Sequence, residues 1–263
     1  MDIRTFLGIK DKPYAKFVRE ERHLTAILFH ALNLKGNLRR FVEAIECPDL
    51  LSSAYDPATY YEFSFLRDAW NQIESNDVKR SLIETSLPKC ALPEEGGVMP
   101  LAFNTHFGVS GNASKDHIQS PGRWSMAKFD ENIKKTEAFK ATCLFKWSFN
   151  AKPDLVIQTS RNQCICIEAK LGSGEANYPV SNKEKAIFKK RNLGPIRQTQ
   201  VQAYLMQDLL GFEVEHFFLS MRGKEKSPVF RAVAWDKVFG AMSLKSLPDQ
   251  MKLTLREKFG VLA

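Results

Sequence analysis

Two short apolar runs, joined by a turn and ending in charge, constrain this chain more than any other feature. Asp154-Leu155-Val156-Ile157-Gln158-Thr159 is apolar and β-branched, Ser160-Arg161-Asn162 is turn material, and Gln163-Cys164-Ile165-Cys166-Ile167-Glu168 is a second such run. The pattern predicts a strand, a turn and a strand. Side chains alternate faces along a strand, so Glu168 and Lys170 project to the side that carries Cys164 and Cys166, while Ala169 points away. The second strand is therefore apolar on both faces until it reaches two charged residues. Opposite charges at a half-buried strand tip are costly unless they pair or bind something.

Asp154, Glu168 and Lys170 suit one kind of chemistry. Mg²⁺ takes oxygen ligands in near-octahedral geometry, keeps several waters, and usually uses one or two protein carboxylates beside substrate phosphate. Asp154 and Glu168 would supply the carboxylates and the carbonyl of Ala169 a further oxygen. Lys170 would orient the attacking water or offset charge developing on the phosphate. A salt-bridged hairpin without metal is the plain alternative.

Two flanking segments bear on that site. Gln200-Val201-Gln202-Ala203-Tyr204 lies in an expected helix over about residues 195–210, with Val201, Leu205, Leu209 and Leu210 at helical spacing and Gly211 as a stop. Gln200 and Tyr204 are one turn apart on one face; the alternative is a core tyrosine beside a solvated glutamine. Upstream, residues 16–32 read as an amphipathic helix with Phe17, Leu24, Ile27, Leu28 and Ala31 on one face. Glu21 falls close to that stripe, where an acid needs a reason. Glu20 is one position away, and a surface pairing of the acid with Arg22 or Lys16 is the alternative.

The Pro153-Asp154 and Glu168-Ala169-Lys170 pair resembles the signature of the PD-(D/E)XK phosphodiesterase superfamily, and Gln200 with Tyr204 is similar to the Q-x-x-x-Y motif of its RecB-like branch. The resemblance covers the first helix and about residues 140–220. It implies an α/β, restriction-endonuclease-like core: a central mixed β-sheet flanked by helices, in a single domain over residues 1–263. The first core helix would span about 14–33, a long helical and Gly-rich insertion about 34–138, the catalytic core about 139–235, and closing helices 236–263. The implied activity is that of a Mg²⁺-dependent nuclease acting on DNA, with Mn²⁺ as a substitute ion. Asp154, Glu168 and Lys170 would be catalytic; Glu21, Asp154, Glu168 and Ala169 would face the metal; Gln200 and Tyr204 would contact substrate. A non-cleaving nucleic-acid-binding protein on the same fold is the alternative. Some relatives of that branch hold an iron–sulfur cluster on one cysteine before the core and three after the tyrosine motif. Here Cys47, Cys90, Cys143, Cys164 and Cys166 all precede the motif, so a cluster of that kind is not expected.

Charge agrees with a polyanionic partner. The 263 residues carry a formal net charge of +8 and a pI near 9.2, which favours nucleic acid over acidic surfaces. Lys183, Lys185, Lys189, Lys190, Arg191 and Arg197 form a basic run that is either a solvated face or a set of phosphate contacts, with Lys189, Lys190 and Arg191 central to it. An odd number of cysteines without CxxC spacing points to a reducing, cytoplasmic setting. No apolar run approaches transmembrane length, so no membrane partner is expected.

The remaining chain is read more coarsely. Helices are expected over residues 35–45 and 60–87, the latter bent near Ser75-Asn76. Residues 92–124 are punctuated by Pro and Gly and read as a long loop or short strands. His106 and His117 lie there without partners at metal-ligand spacing, and stay out of the site. Residues 139–149, alternating through Cys143, Phe145 and Trp147, read as the first core strand. Strands over 213–219 and 228–235 and helices over 236–244 and 248–259 complete the expectation.

Overall fold

The computed structural model describes residues 20–51, 55–94, 98–109, 115–172 and 174–261. In chain order the elements are α1 (Glu21–Leu32), α2 (Asn37–Ala44), β1 (Ala58–Tyr61), α3 (Phe65–Gln72), α4 (Asn76–Ser86), α5 (Met99–His106), α6 (Met126–Asn132) and α7 (Thr136–Ser148). There follow β2 (Leu155–Gln158), β3 (Gln163–Ala169), β4 (Asn177–Tyr178), α8 (Asn182–Lys190), β5 (Ile196–Arg197) and α9 (Gln198–Ala203). After α9 come β6 (Glu213–Ser220), β7 (Arg231–Ala234), α10 (Trp235–Ala241) and α11 (Asp249–Phe259). The chain is α/β, with a five-stranded mixed sheet flanked by helices. Among the described residues no helix is long and apolar enough to cross a membrane.

Two compact units divide the chain. One comprises residues 1–63, 153–174 and 212–263, the other 64–152 and 175–211. This interleaving replaces the expected partition into an insertion over 34–138 and a core over 139–235. β1 lies inside the expected insertion yet belongs to the first unit, whereas α7 lies inside the expected core and belongs to the second.

The first unit is built on the sheet, in the order β1-β2-β3-β6-β7. The expected hairpin forms: β2 and β3 pair antiparallel, with Leu155 opposite Ile167 and Ile157 opposite Ile165. β1 joins β2 antiparallel, while β6 pairs β3 and β7 pairs β6 in parallel. Leu155, Ile157, Ile165, Ile167, Ala169, Phe217, Leu219 and Val233 cluster with Leu24, Ile27 and Leu28 of α1, Phe41 of α2 and Trp235 and Phe239 of α10. The opposite face is also buried through Val156, Cys164, Cys166 and Phe218. Burial on both faces is why the strands read as near-continuous apolar runs rather than as an alternation.

Three expectations fail here for identifiable reasons. Residues 139–149 form most of α7, not a strand. Ala138, Phe139, Thr142, Cys143, Phe145, Trp147 and Ser148 are all buried, so the segment is apolar nearly all round and its short stretch of alternation carried no period information. Residues 60–87 are not one bent helix. Thr59-Tyr60-Tyr61 is β-branched and aromatic and forms β1, and helices begin only at Phe65 and Asn76, the second capped by Ser75. Residues 92–124 include α5, in which Pro100 lies in the first turn. Proline is at home there, because the missing N–H has no intrahelical partner in any case. The expected beginning of the first helix, at residues 14–19, lies outside the described residues.

Candidate functional site

Asp154 and Glu168 are neighbours across the hairpin. Leu155 faces Ile167, and continuing the antiparallel register by one residue places Asp154 opposite Glu168, on one face of the sheet. Asp154 Oδ2 accepts the N–H of Ala169 at 2.8 Å, which ties the carboxylate to the end of β3. Glu168 is 1% exposed, a position an acid occupies only with a strong partner. That partner is Lys170, whose Nζ is 2.7 Å from Glu168 Oε1 and 3.2 Å from Glu21 Oε2.

The backbone explains why Lys170 stands there. Its N–H donates to Leu219 O at 2.8 Å, extending the parallel β3–β6 pairing by one residue. Its carbonyl accepts the indole N–H of Trp235 at 3.0 Å. The main chain is thus pinned on both sides, and the ammonium is held against two acids. Glu21 opens α1, and its Oε1 accepts the N–H of Leu171 at 3.2 Å. Glu21, not the exposed Glu20, is therefore the acid that reaches the strand ends.

The charges in this cluster act on one another. Burial, then the Glu168 carboxylate, push the Asp154 carboxyl up to about 7, against the opposing pull of the Ala169 N–H and Lys170. Burial pulls the Lys170 ammonium down, but Glu168, Asp154 and Glu21 together outweigh it and raise it above the ordinary lysine value. Among the described residues the Lys170 ammonium pairs with Glu21 and Glu168 and feels the charge of Asp154. The cluster lies at the carboxyl ends of the parallel strands β3 and β6, the end of an open α/β sheet where ligands bind.

Two residues here were missed in the sequence. Glu62 donates its backbone N–H to Asp154 O at 3.0 Å, and its carboxylate contributes to raising Asp154. It adopts the left-handed backbone conformation, φ 51°, uncommon outside glycine, and pairs with Arg22 at 3.5 Å. Tyr61 donates its hydroxyl to Arg22 O at 3.1 Å; burial and the charges of Glu62 and Asp154 raise its phenol. The signal was the Thr-Tyr-Tyr run, which assignment to a helix concealed.

Metal fit depends on how many carboxylates are required. Among the described residues no three His, Cys, Asp or Glu side chains converge to hold an ion, because Lys170 stands between Glu168 and Glu21. The Asp154–Glu168 pair alone matches the one or two carboxylates that Mg²⁺ normally takes. Ala169 contributes its N–H to Asp154. Cys164 and Cys166 are buried thiols, the former pushed up to about 12 by burial, and they behave as small apolar residues.

The other expected residues belong to the second unit. Gln200 accepts the backbone N–H of Arg197 at 2.9 Å through Oε1, so its side chain caps α9. The expected helix over 195–210 is α9 followed by a π-helical stretch, Tyr204–Leu209. Tyr204 is half-buried, and burial followed by Asp208 raises its phenol to about 12. Lys189 and Lys190 are exposed on α8. Arg191 corrects an expectation: it is not a free phosphate contact. Its guanidinium pairs with Asp130, donates to Asp130 O at 2.9 Å and Ile133 O at 2.6 Å, and stacks 4.2 Å from the Phe139 ring centroid.

No family model matches the chain, and neither a curated protein nor a solved structure matches it.

Proposed function

We propose that this protein is a divalent-metal-dependent phosphodiesterase acting on nucleic acid, with DNA as the substrate. The observation that carries the reading is the Asp154–Glu168 pair, with Glu168 buried and Asp154 half-buried, which leaves Asp154 raised to about 7 with a lysine already in place. Two acids held side by side raise the cost of ionising one another, and a divalent cation between them relieves that cost. The resemblance to PD-(D/E)XK enzymes supports the same reading.

In this reading Asp154 and Glu168 hold one Mg²⁺ or Mn²⁺, which when bound polarises the phosphate and lowers the cost of deprotonating water. Ala169 N–H keeps the Asp154 carboxylate aimed, with the Ala169 carbonyl as a further ligand. Lys170 orients the attacking water and offsets the charge that grows on the phosphoryl oxygens. Glu21 holds Lys170 and the Leu171 backbone in place. For Glu21 to join the ion directly, the Lys170–Glu21 contact must open.

Cleavage of labelled DNA in Mg²⁺ or Mn²⁺ tests the proposal. Asp154→Ala and Glu168→Ala should abolish turnover with the fold intact. Lys170→Ala should remove turnover while calorimetry still detects ion binding. Retained activity in either carboxylate variant would refute the assignment. A second reading, a non-cleaving nucleic-acid-binding protein, is favoured by the Lys170 ion pairs, which neutralise part of the cluster without metal. Absence of any divalent-ion binding would decide for it.

A further inference from the structure

Three cations stand at the same end of the sheet as the carboxylates. Parallel pairing sets Ala169 beside Leu219, and the next residues are Lys170 and Ser220. β6 ends at Ser220 and the chain turns through residues 221–230 before β7. That connection therefore leaves the sheet alongside Lys170 and Leu171, where the Glu21 carboxylate is bound. It carries Arg222, Lys224 and Lys226, all exposed, and none of them enters a salt bridge among the described residues.

The connection is held in shape. Ser220 Oγ accepts the Gly223 N–H at 2.9 Å and donates to Glu225 Oε2 at 2.6 Å. Gly223 has φ +59° and lies so close to β7 that a Cβ there would meet the Val233 carbonyl carbon at 2.8 Å, so no other residue fits. Phe230 stacks on Phe218 with centroids 4.7 Å apart. Glu225, an acid among these cations, is tied back to Ser220.

Cations without a salt bridge among the described residues, on a fixed turn at the same sheet end as a carboxylate pair, suit a ligand that alternates the two signs. A nucleic-acid strand with a cation at one phosphate is such a ligand. We propose that the β6–β7 connection binds the DNA backbone through Arg222, Lys224 and Lys226, gripping phosphates that flank the scissile one. This rests on reading the carboxylate cluster as a phosphodiester-cleaving site. The three residues act as positioning groups, since phosphate contacts set register and carry no base information. Arg222 supplies a planar fork that matches two phosphate oxygens, and the lysines act as point charges.

Binding rather than cleavage provides the readout. Affinity for a fluorescein-labelled DNA duplex is measured by anisotropy in Ca²⁺ over a range of salt. Each phosphate contact contributes roughly −0.9 to the slope of log K against log salt, so Arg222→Ala/Lys224→Ala/Lys226→Ala should flatten it by about 2 to 3. Each single alanine variant should flatten it by up to about 0.9, which keeps the test valid if the triple variant folds poorly. The charge-preserving set Arg222→Lys/Lys224→Arg/Lys226→Arg should retain most of the slope. Mn²⁺ binding by calorimetry should be the same in all of them. Wild-type slope and affinity in the triple variant would overturn the role of this connection and leave the metal site standing. Loop-dependent binding without cleavage of any nucleic acid would overturn the cleaving reading and leave the connection as a DNA-binding element.

Discussion

Asp154→Asn should make the metal-free protein more stable at neutral pH and abolish the stabilisation that a divalent ion confers. Burial, then the Glu168 charge, hold the Asp154 carboxyl at about 7 instead of 3.8. A carboxyl raised in the fold contributes its stability fully below about pH 4, and that contribution is lost as pH rises through about 7. The difference corresponds to roughly 4 kcal/mol when fully developed. Asp154 keeps some contact with solvent, which screens the interaction, so a gain of about 2 kcal/mol above pH 7 is the realistic expectation. Asparagine retains a carbonyl oxygen for the Ala169 N–H, so the backbone contact survives the exchange. For a chain of this size such a gain raises Tm by about 4–8 °C. Urea and thermal unfolding in EDTA should give curves for the two proteins that run parallel below about pH 4, diverge between about pH 4 and 7, and then run parallel again. Adding Mg²⁺ or Mn²⁺ should invert the order. At a free ion concentration about a hundredfold above Kd the wild type gains about 2.7 kcal/mol, and the variant little. An offset between the proteins that does not change with pH would refute the charge argument. An equal gain from the ion in both would remove Asp154 from the ion site.

Arg191→Ala should cost about 3–5 kcal/mol, because it takes the guanidinium away from the Asp130 carboxylate and from the carbonyls of Asp130, Ile133 and Lys134 in a site where the arginine side chain is 12% exposed. Urea unfolding reads that loss, whereas Lys189→Ala and Lys190→Ala, both exposed on α8, should stay within about 0.5 kcal/mol. His216 is buried on β6 beside Cys166, and burial lowers it from 6.5 to about 4. Its sign is opposite to that of Asp154: stability is present above about pH 6.5 and is lost as pH falls towards 4, by roughly 3 kcal/mol in full. His216→Gln should flatten the acid limb of the stability profile; an unchanged limb would show that the imidazole is already solvated in the fold.

The strands of the hairpin, their turn and the end at which charge accumulates were all legible locally. Leu155–Gln158 and Gln163–Ala169 form where β-branched and apolar residues cluster, and strand alternation alone puts Glu168 and Lys170 on one side. The same locality made Glu21 conspicuous as an acid beside an apolar stripe. What sequence could not decide was everything that depends on which distant segment arrives next to the hairpin. β1 reaches β2 from nearly a hundred positions away and brings Glu62 and Tyr61 with it. α7, apolar nearly all round, fits a strand or a helix equally well until its neighbours choose. Arg191 looks like its exposed neighbours Lys189 and Lys190 in a linear basic run, and only folding places it against Asp130 and Phe139. The shift at Asp154 is likewise tertiary: its carboxyl is raised because burial and Glu168 act on it together. Local propensity is a property of a few consecutive residues, whereas desolvation and charge coupling exist only once separate segments have been packed together.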